Sequence, residues 1–147
     1  MNVKIKLKEG AVLPSYAKYG DAGMDLMAIS MRITDEFVEY GTGISLEIPE
    51  GYVGLIFPRS SVSKLDMMLA NSVAVIDSGY RGEILCRFKH IQFAGDYKIS
   101  KVGERVAQLI IMPYPQIEFE VVSELSTTDR GDGGFGSTGT DRRKTNG

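Results

Sequence analysis

Apolar residues recur at every second position in four separate stretches of this chain: Val3, Ile5 and Leu7; Ile44, Leu46 and Ile48; Ile84, Cys86 and Phe88; and Ile117, Phe119 and Val121. A period of two places successive side chains on opposite faces of an extended backbone, so each stretch is predicted to be a half-buried strand. Turn signals divide the chain between such stretches: Glu9-Gly10, Gly41-Thr42-Gly43, Glu50-Gly51, Ser78-Gly79 and Ala94-Gly95-Asp96. Punctuation at this interval predicts an all-β sandwich or barrel of about ten short strands, with little helix.

Two further runs, Val53 to Phe57 and Val106 to Met112, are apolar more continuously. That pattern predicts strands covered on both faces, by the core on one side and by another subunit on the other. One interruption of the β pattern is expected at Ser60 to Lys64. Pro58 stops the strand before it, and Ser60 or Ser61 is placed to cap a single helical turn.

From Ser123 onward the periodicity ends, and Arg130 to Gly139 holds five glycines, one arginine, one aromatic ring and two hydroxyls. Such a segment buries little by itself, and its glycines let the backbone approach a guest closely. Guanidinium and hydroxyls suit phosphate, and a ring suits a base. The expected organisation is one β-barrel domain over residues 1–125 and a flexible glycine-rich arm over 126–147 that closes on a ligand. The spacing from Gly131 to Thr138 is that of a phosphate loop, but Ser137 stands where lysine is required and no helical pattern follows, so that reading fails.

With 147 residues, 43% of them hydrophobic, the chain has material for one core. A net charge of −2 argues against a general nucleic-acid or anionic-membrane surface. No apolar run nears the roughly 20 residues that cross a bilayer, so a cytoplasmic protein without nucleic-acid or membrane partners is expected. Cys86 has no partner for an internal disulfide and His90 is the only histidine, which leaves no transition-metal cluster. Both are expected to pack structurally.

Several polar groups stand where a solvated face would not put them. Asp77 follows the apolar run Val73 to Ile76 and precedes a turn that ends in Tyr80, so its carboxylate either caps the turn or has a chemical task. Arg59, Ser60 and Ser61 gather a guanidinium and two hydroxyls at the start of the helical turn, where an anion is favoured. Asp25, flanked by Met24 and Leu26, either caps a turn or helps to hold a hydrated Mg²⁺.

Taken in order, Ala22 to Leu26, Pro58 to Ser61, Asn71 through Gly82, Gly103 to Leu109 and Arg130 to Gly139 resemble the five motifs of the trimeric dUTPases. The resemblance implies a homotrimer of distorted jelly-roll β-barrels of the β-clip type, with active sites at the subunit interfaces. It implies Mg²⁺-assisted hydrolysis of dUTP to dUMP and pyrophosphate by water attacking the α-phosphorus. By position, Asp77 resembles the carboxylate that orients and deprotonates that water, and Tyr80 the ring that packs on deoxyribose and excludes a 2′-hydroxyl. The Asn71 to Asp77 segment resembles the uracil-reading hairpin, with Asn71 a contact to the base. Arg59, Ser60, Ser61 and Gln108 match phosphate-contacting positions, and Asp25 matches the acid that meets Mg²⁺ through water. Arg130, Gly136, Ser137 and Thr138 match the closing arm over the phosphates, and Phe135 the ring that stacks on uracil.

Three positions depart from the family pattern: Ala74 for a usual glycine, Gly79 for a usual larger residue and Asp132 within the arm. A dCTP deaminase of the same fold is the nearest rival, opposed by Tyr80 and the aromatic glycine-rich arm. A dUTP-binding regulatory protein is the alternative of another class, opposed by the retained Asp77.

Overall fold

A computed structural model describes residues 1–91 and 98–134. Among them are ten strands: β1 (Lys4–Leu7), β2 (Met24–Met27), β3 (Ser30–Ile33), β4 (Phe37–Gly41), β5 (Ile44–Glu47), β6 (Tyr52–Pro58), β7 (Met67–Leu69), β8 (Ala74–Ile76), β9 (Leu85–His90) and β10 (Arg105–Pro113). All pairings are antiparallel, and they form a two-stranded sheet β1-β5 and two four-stranded sheets, β2-β10-β6-β8 and β3-β4-β9-β7. The all-β architecture matches the expectation from alternation, and its jelly-roll-like form the one that the family resemblance implies.

The period of two is visible in burial. Along β9, Cys86, Phe88 and His90 point inward while Leu85, Arg87 and Lys89 are exposed. Phe88 meets Tyr40 of β4 edge to face, with ring centroids 5.7 Å apart, and Leu26, Ile44, Ile56, Ile84 and Leu109 complete the centre of the core. Tyr40 is buried with its hydroxyl donating to Ser100 O at 2.8 Å, and burial pushes its pKa up to about 12. Burial likewise pushes the Cys86 thiol up to about 12. The thiolate is the reactive form, so Cys86 is expected to resist a chromogenic disulfide reagent in the folded protein and to titrate as one thiol only after denaturation.

The two continuous apolar runs became β6 and β10, which pair along seven residues from Ala107–Pro58 to Pro113–Tyr52. Gly54, Ile56, Ala107 and Leu109 face the core. The opposite face carries Val53, Leu55 and Phe57 beside Met112, Ile110 and Gln108, with Val75 of β8 next to Leu55 and Asp25 of β2 next to Gln108. That outer face is therefore apolar at its middle and polar at one end.

Two local expectations are corrected. Residues Ser60–Lys64 form a 3-10 helix, but neither serine caps it: Arg59 occupies the cap position and makes no side-chain bond to the helix end, and Ser63 Oγ instead donates to Ser60 O at 2.8 Å. The turn is short enough for the backbone bonds Val62 N to Arg59 O and Leu65 N to Val62 O, both 2.9 Å, to close it. Ile117, Phe119 and Val121 form no strand and are 65%, 91% and 97% exposed. A strand needs a partner edge. Pro113 and Pro115 remove backbone donors just before this segment, and no edge among the described residues pairs with it. Contacts divide the chain into two compact units, Met1–Gln116 and Ile117–Gly147. No helix among the described residues is long and apolar enough to cross a membrane.

Candidate active site

The register of β10 assembles the first group of functional side chains. Gln108 lies opposite Asp25 of β2 on one side and Phe57 of β6 on the other, and the chain leaves β6 through Pro58 directly into Arg59. Arg59 Nε donates to Asp25 Oδ1 at 2.8 Å, and Arg105 Nε lies 3.5 Å from Asp25 Oδ2. Gln108 Nε2 donates to Pro58 O at 3.0 Å, which ties the amide to the backbone preceding Arg59. A Cβ at Gly23 would overlap Gln108 Oε1, so any larger residue there would push the amide from its present position. Asp25 thus fixes Arg59 through Nε alone, leaving the terminal guanidinium nitrogens for an anion. Ser60 and Ser61, both exposed, follow at once.

Among the described residues no group of three or more His, Cys, Asp or Glu side chains converges on one point to hold a metal ion, and the Asp25 carboxylate is already engaged by two arginines. A protein cage for a cation is absent from this set. One carboxylate acting through water suits Mg²⁺, which keeps much of its hydration shell and takes its remaining ligands from substrate phosphates.

The second group surrounds β8. A cleft of about 250 Å³ is lined by residues that include Asn71, Ala74, Ile76, Asp77, Tyr80 and Glu83. Its hairpin turns sharply at Ser72, a non-glycine residue at φ +59°, where Val73 N bonds Asn71 O at 2.6 Å. Ala74 is an ordinary strand residue opposite Ile56, and the left-handed conformation of this hairpin falls two residues earlier, at Ser72.

Asp77 leaves β8 and its carbonyl accepts Tyr80 N at 3.0 Å, closing a four-residue turn. Arg81 Nη1 clasps that turn from outside, donating to Ser78 O at 2.5 Å and Tyr80 O at 3.0 Å. The Asp77 side chain is exposed and no described residue pairs with its carboxylate. Tyr80, 44% exposed, donates from its hydroxyl to Glu83 O at 3.0 Å and lies so close over Gly82 that a Cβ there would overlap the ring.

These two groups stand at opposite ends of one sheet. The β6–β8 register ends at Gly54 opposite Ile76, so Asp77 lies near Val53 while Arg59 follows the far end of β6. About six residues of extended chain separate them, roughly 20 Å. Within Ile117–Gly147, Arg130 Nε donates to Gly133 O at 3.1 Å and Gly131 takes φ +53°. Phe135, Gly136, Ser137 and Thr138 lie outside the described residues. Arg81, Glu83 and Arg105 were not singled out from the sequence; each acquires its role through a contact that local patterning does not signal.

The antiparallel, jelly-roll-like fold carries a hairpin cleft at one end of a sheet and a carboxylate held by two arginines at the other, which defines the class as an all-β protein with two separate polar groups. Residues 9–139 match the family model described as dUTPase, and the chain belongs to the dUTPase family. It is 43% identical over 138 residues to the deoxyuridine 5′-triphosphate nucleotidohydrolase of Hydrogenobaculum sp. (strain Y04AAS1), covering 91% of this chain and 94% of the relative. With the enzyme of the same name from Escherichia phage T5 it shares 37% identity over 147 residues, covering 93% and 98%. Among solved structures it resembles the Staphylococcus bacteriophage 80alpha dUTPase with dUPNHPP, at a TM-score of 0.80 and 28% identity over 95% of this chain and 99% of that one. A mutant dUTPase from phage phi11 of S. aureus, described with a structural Mg(II) ion, matches at a TM-score of 0.70 and 26% identity, covering 84% and 98%.

Proposed function

We propose that this protein hydrolyses dUTP to dUMP and pyrophosphate, with Asp77 as the general base. The observation that carries the reading is the exposed Asp77 carboxylate, without a partner among the described residues, at the rim of the hairpin cleft and one turn from the Tyr80 ring. The main-chain groups of the Asn71 to Asp77 hairpin read uracil, with Asn71 beside the base, and Tyr80 packs on deoxyribose. The Asp77 carboxylate accepts a hydrogen bond from water and takes its proton as the oxygen attacks the α-phosphorus. The bond to the pyrophosphate oxygen then breaks. Gln108 and Arg59 hold the phosphates, with Ser60 and Ser61 as further donors, so that charge developing on the phosphate oxygens is met by groups already in place. Mg²⁺, when bound, neutralises the triphosphate, with Asp25 holding it through water. Arg130, Gly136, Ser137 and Thr138 of a 126–147 arm close over the outer phosphates, and Phe135 stacks on uracil.

The gap of roughly 20 Å between Asp77 and Arg59 supports a site shared between copies: one subunit supplies the hairpin and another the arginine cradle. The apolar outer face of β6, β8 and β10 supplies the contact, because Val53, Leu55, Phe57, Val75, Ile110 and Met112 gain most by leaving water together. A homotrimer is the assembly proposed, in the cytoplasm. Sedimentation equilibrium of the purified chain is expected to return three times the 16.1 kDa monomer mass.

Pyrophosphate release with dUTP, dCTP, dTTP and UTP in parallel, with products followed by chromatography, tests the activity. Selective conversion of dUTP to dUMP is expected; deamination of dCTP, or dUTP binding without turnover, overturns the reading. Two glycines test the cleft. Gly82→Ala forces the Tyr80 ring to move and is expected to lower kcat/KM for dUTP by about tenfold, the scale of one misplaced substrate contact. Gly79→Ala meets nothing within 4 Å at a position without positive φ, and is expected to remain close to the parent.

A further inference from the structure

We infer that Glu83 is a specificity-determining positioning residue: its carboxylate anchors the segment whose carbonyl holds the Tyr80 hydroxyl, and thereby sets how firmly the site refuses a ribose 2′-hydroxyl. The inference rests on the proposed reading of Tyr80 and adds to it a residue that the five motifs leave without a role.

Three contacts carry it. Tyr80 Oη donates to Glu83 O at 3.0 Å, so the ring is held at its far end as well as at its Cα. Glu83 Oε1 accepts Gly43 N at 2.7 Å, and Oε2 pairs with Lys8 Nζ at 2.5 Å. The Glu83 side chain is four-fifths buried, and the Lys8 bond first, then the Gly43 N–H, hold its carboxyl below the ordinary range against the opposing effect of burial. Gly43 lies in the turn between β4 and β5, where Thr42 Oγ1 in turn bonds Ile84 O at 2.8 Å and Thr42 N bonds the same carbonyl at 3.3 Å. Glu83 and Ile84 are therefore fastened to a core turn on both sides of their shared peptide. Tyr80, three residues upstream on an exposed turn, has that fastened segment as its support.

The mechanism is steric. Rejection of a 2′-hydroxyl by a ring requires that the ring not yield, and an aromatic side chain tied down at its hydroxyl loses the rotation by which it would yield. Ile84 N donates to Ile44 O at 2.8 Å and holds the same peptide from its other side, so releasing Glu83 from Gly43 and Lys8 removes one of two anchors and loosens the carbonyl, the Tyr80 hydroxyl bound to it and the ring. UTP gains from that freedom while dUTP loses packing. A residue that only stabilised the fold would change both substrates alike.

The test measures kcat/KM for dUTP and UTP in parallel with the full-length protein. Glu83→Ala is expected to lower the dUTP-to-UTP ratio by about five- to tenfold, the scale of one net hydrogen bond. Glu83→Gln keeps an oxygen for Gly43 N and is expected to restore most of the ratio. Tyr80→Phe removes the hydroxyl without touching Glu83 and is expected to give a similar fall, with the Tyr80→Phe, Glu83→Ala double variant no lower than the lower single. If Glu83→Ala folds poorly, Tyr80→Phe still decides, because an unchanged ratio there removes the tether from specificity. A ratio lowered by Tyr80→Phe but not by Glu83→Ala overturns the role of Glu83 and leaves the proposed function standing. Failure of the parent protein to hydrolyse dUTP, by contrast, overturns the proposed function itself.

Discussion

Asp77→Asn is expected to lower kcat for dUTP by about a thousandfold while leaving dUTP affinity within about threefold, because positioned general bases contribute roughly 10²–10⁴ to rate and little to ground-state binding. The substitution keeps the size of the side chain and its place after β8, where the backbone turn is closed by Tyr80 N and the Asp77 carbonyl, not by the side chain. No described residue depends on the carboxylate, so stability is expected to be unchanged. An amide can still accept a hydrogen bond from water but does not take its proton. The measurement is steady-state pyrophosphate release beside equilibrium dUTP binding. Turnover comparable to the parent would remove Asp77 from the role of base, and loss of binding would make it a substrate contact.

Ending the chain after Ser126 is expected to lower kcat/KM for dUTP by about a hundredfold or more, since the truncation deletes a base-stacking ring and the phosphate contacts together. It is expected to leave the thermal midpoint nearly unchanged. Among the described residues, every member of the hydrophobic core, and every partly buried apolar residue packed on it, lies between Val3 and Ile111. The two readouts separate the arm's chemical role from a structural one. Parallel losses of midpoint and activity would assign the deleted residues to the fold, and unchanged kinetics would remove them from the mechanism.

Much of the fold was legible because a strand's alternation is written into successive residues. Ile44 to Ile48 and Ile84 to Phe88 were readable as β5 and β9, and Pro58 marked the end of β6 and the 3-10 turn. Ile117 to Val121 shows the limit of that signal. A period of two states that one face wants cover but does not name the edge that will provide it, and among the described residues no edge does.

The candidate site divides in the same way. Asp77, Tyr80 and Arg59 stood out because each polar group interrupts an apolar or turn context. The Asp25–Arg59 pair, the contact of Arg105 with Asp25 and the anchoring of Glu83 to Gly43 did not, since these partners are 34, 80 and 40 residues apart and meet only through strand register and loop packing.

The sequence by itself determined that this chain is built of short antiparallel strands, with a helical turn after Pro58 and a dUTPase motif set, because side-chain period, proline geometry and motif spacing are properties of neighbouring residues. Only the tertiary structure decided that Asp77 and Arg59 stand at opposite ends of β6, that Asp25 is held between two arginines, and that Tyr80 is tethered at its hydroxyl. Those are distances between residues remote in sequence, and they follow from which strands pair and in what register, a choice made by burial of the whole core and not by any local stretch.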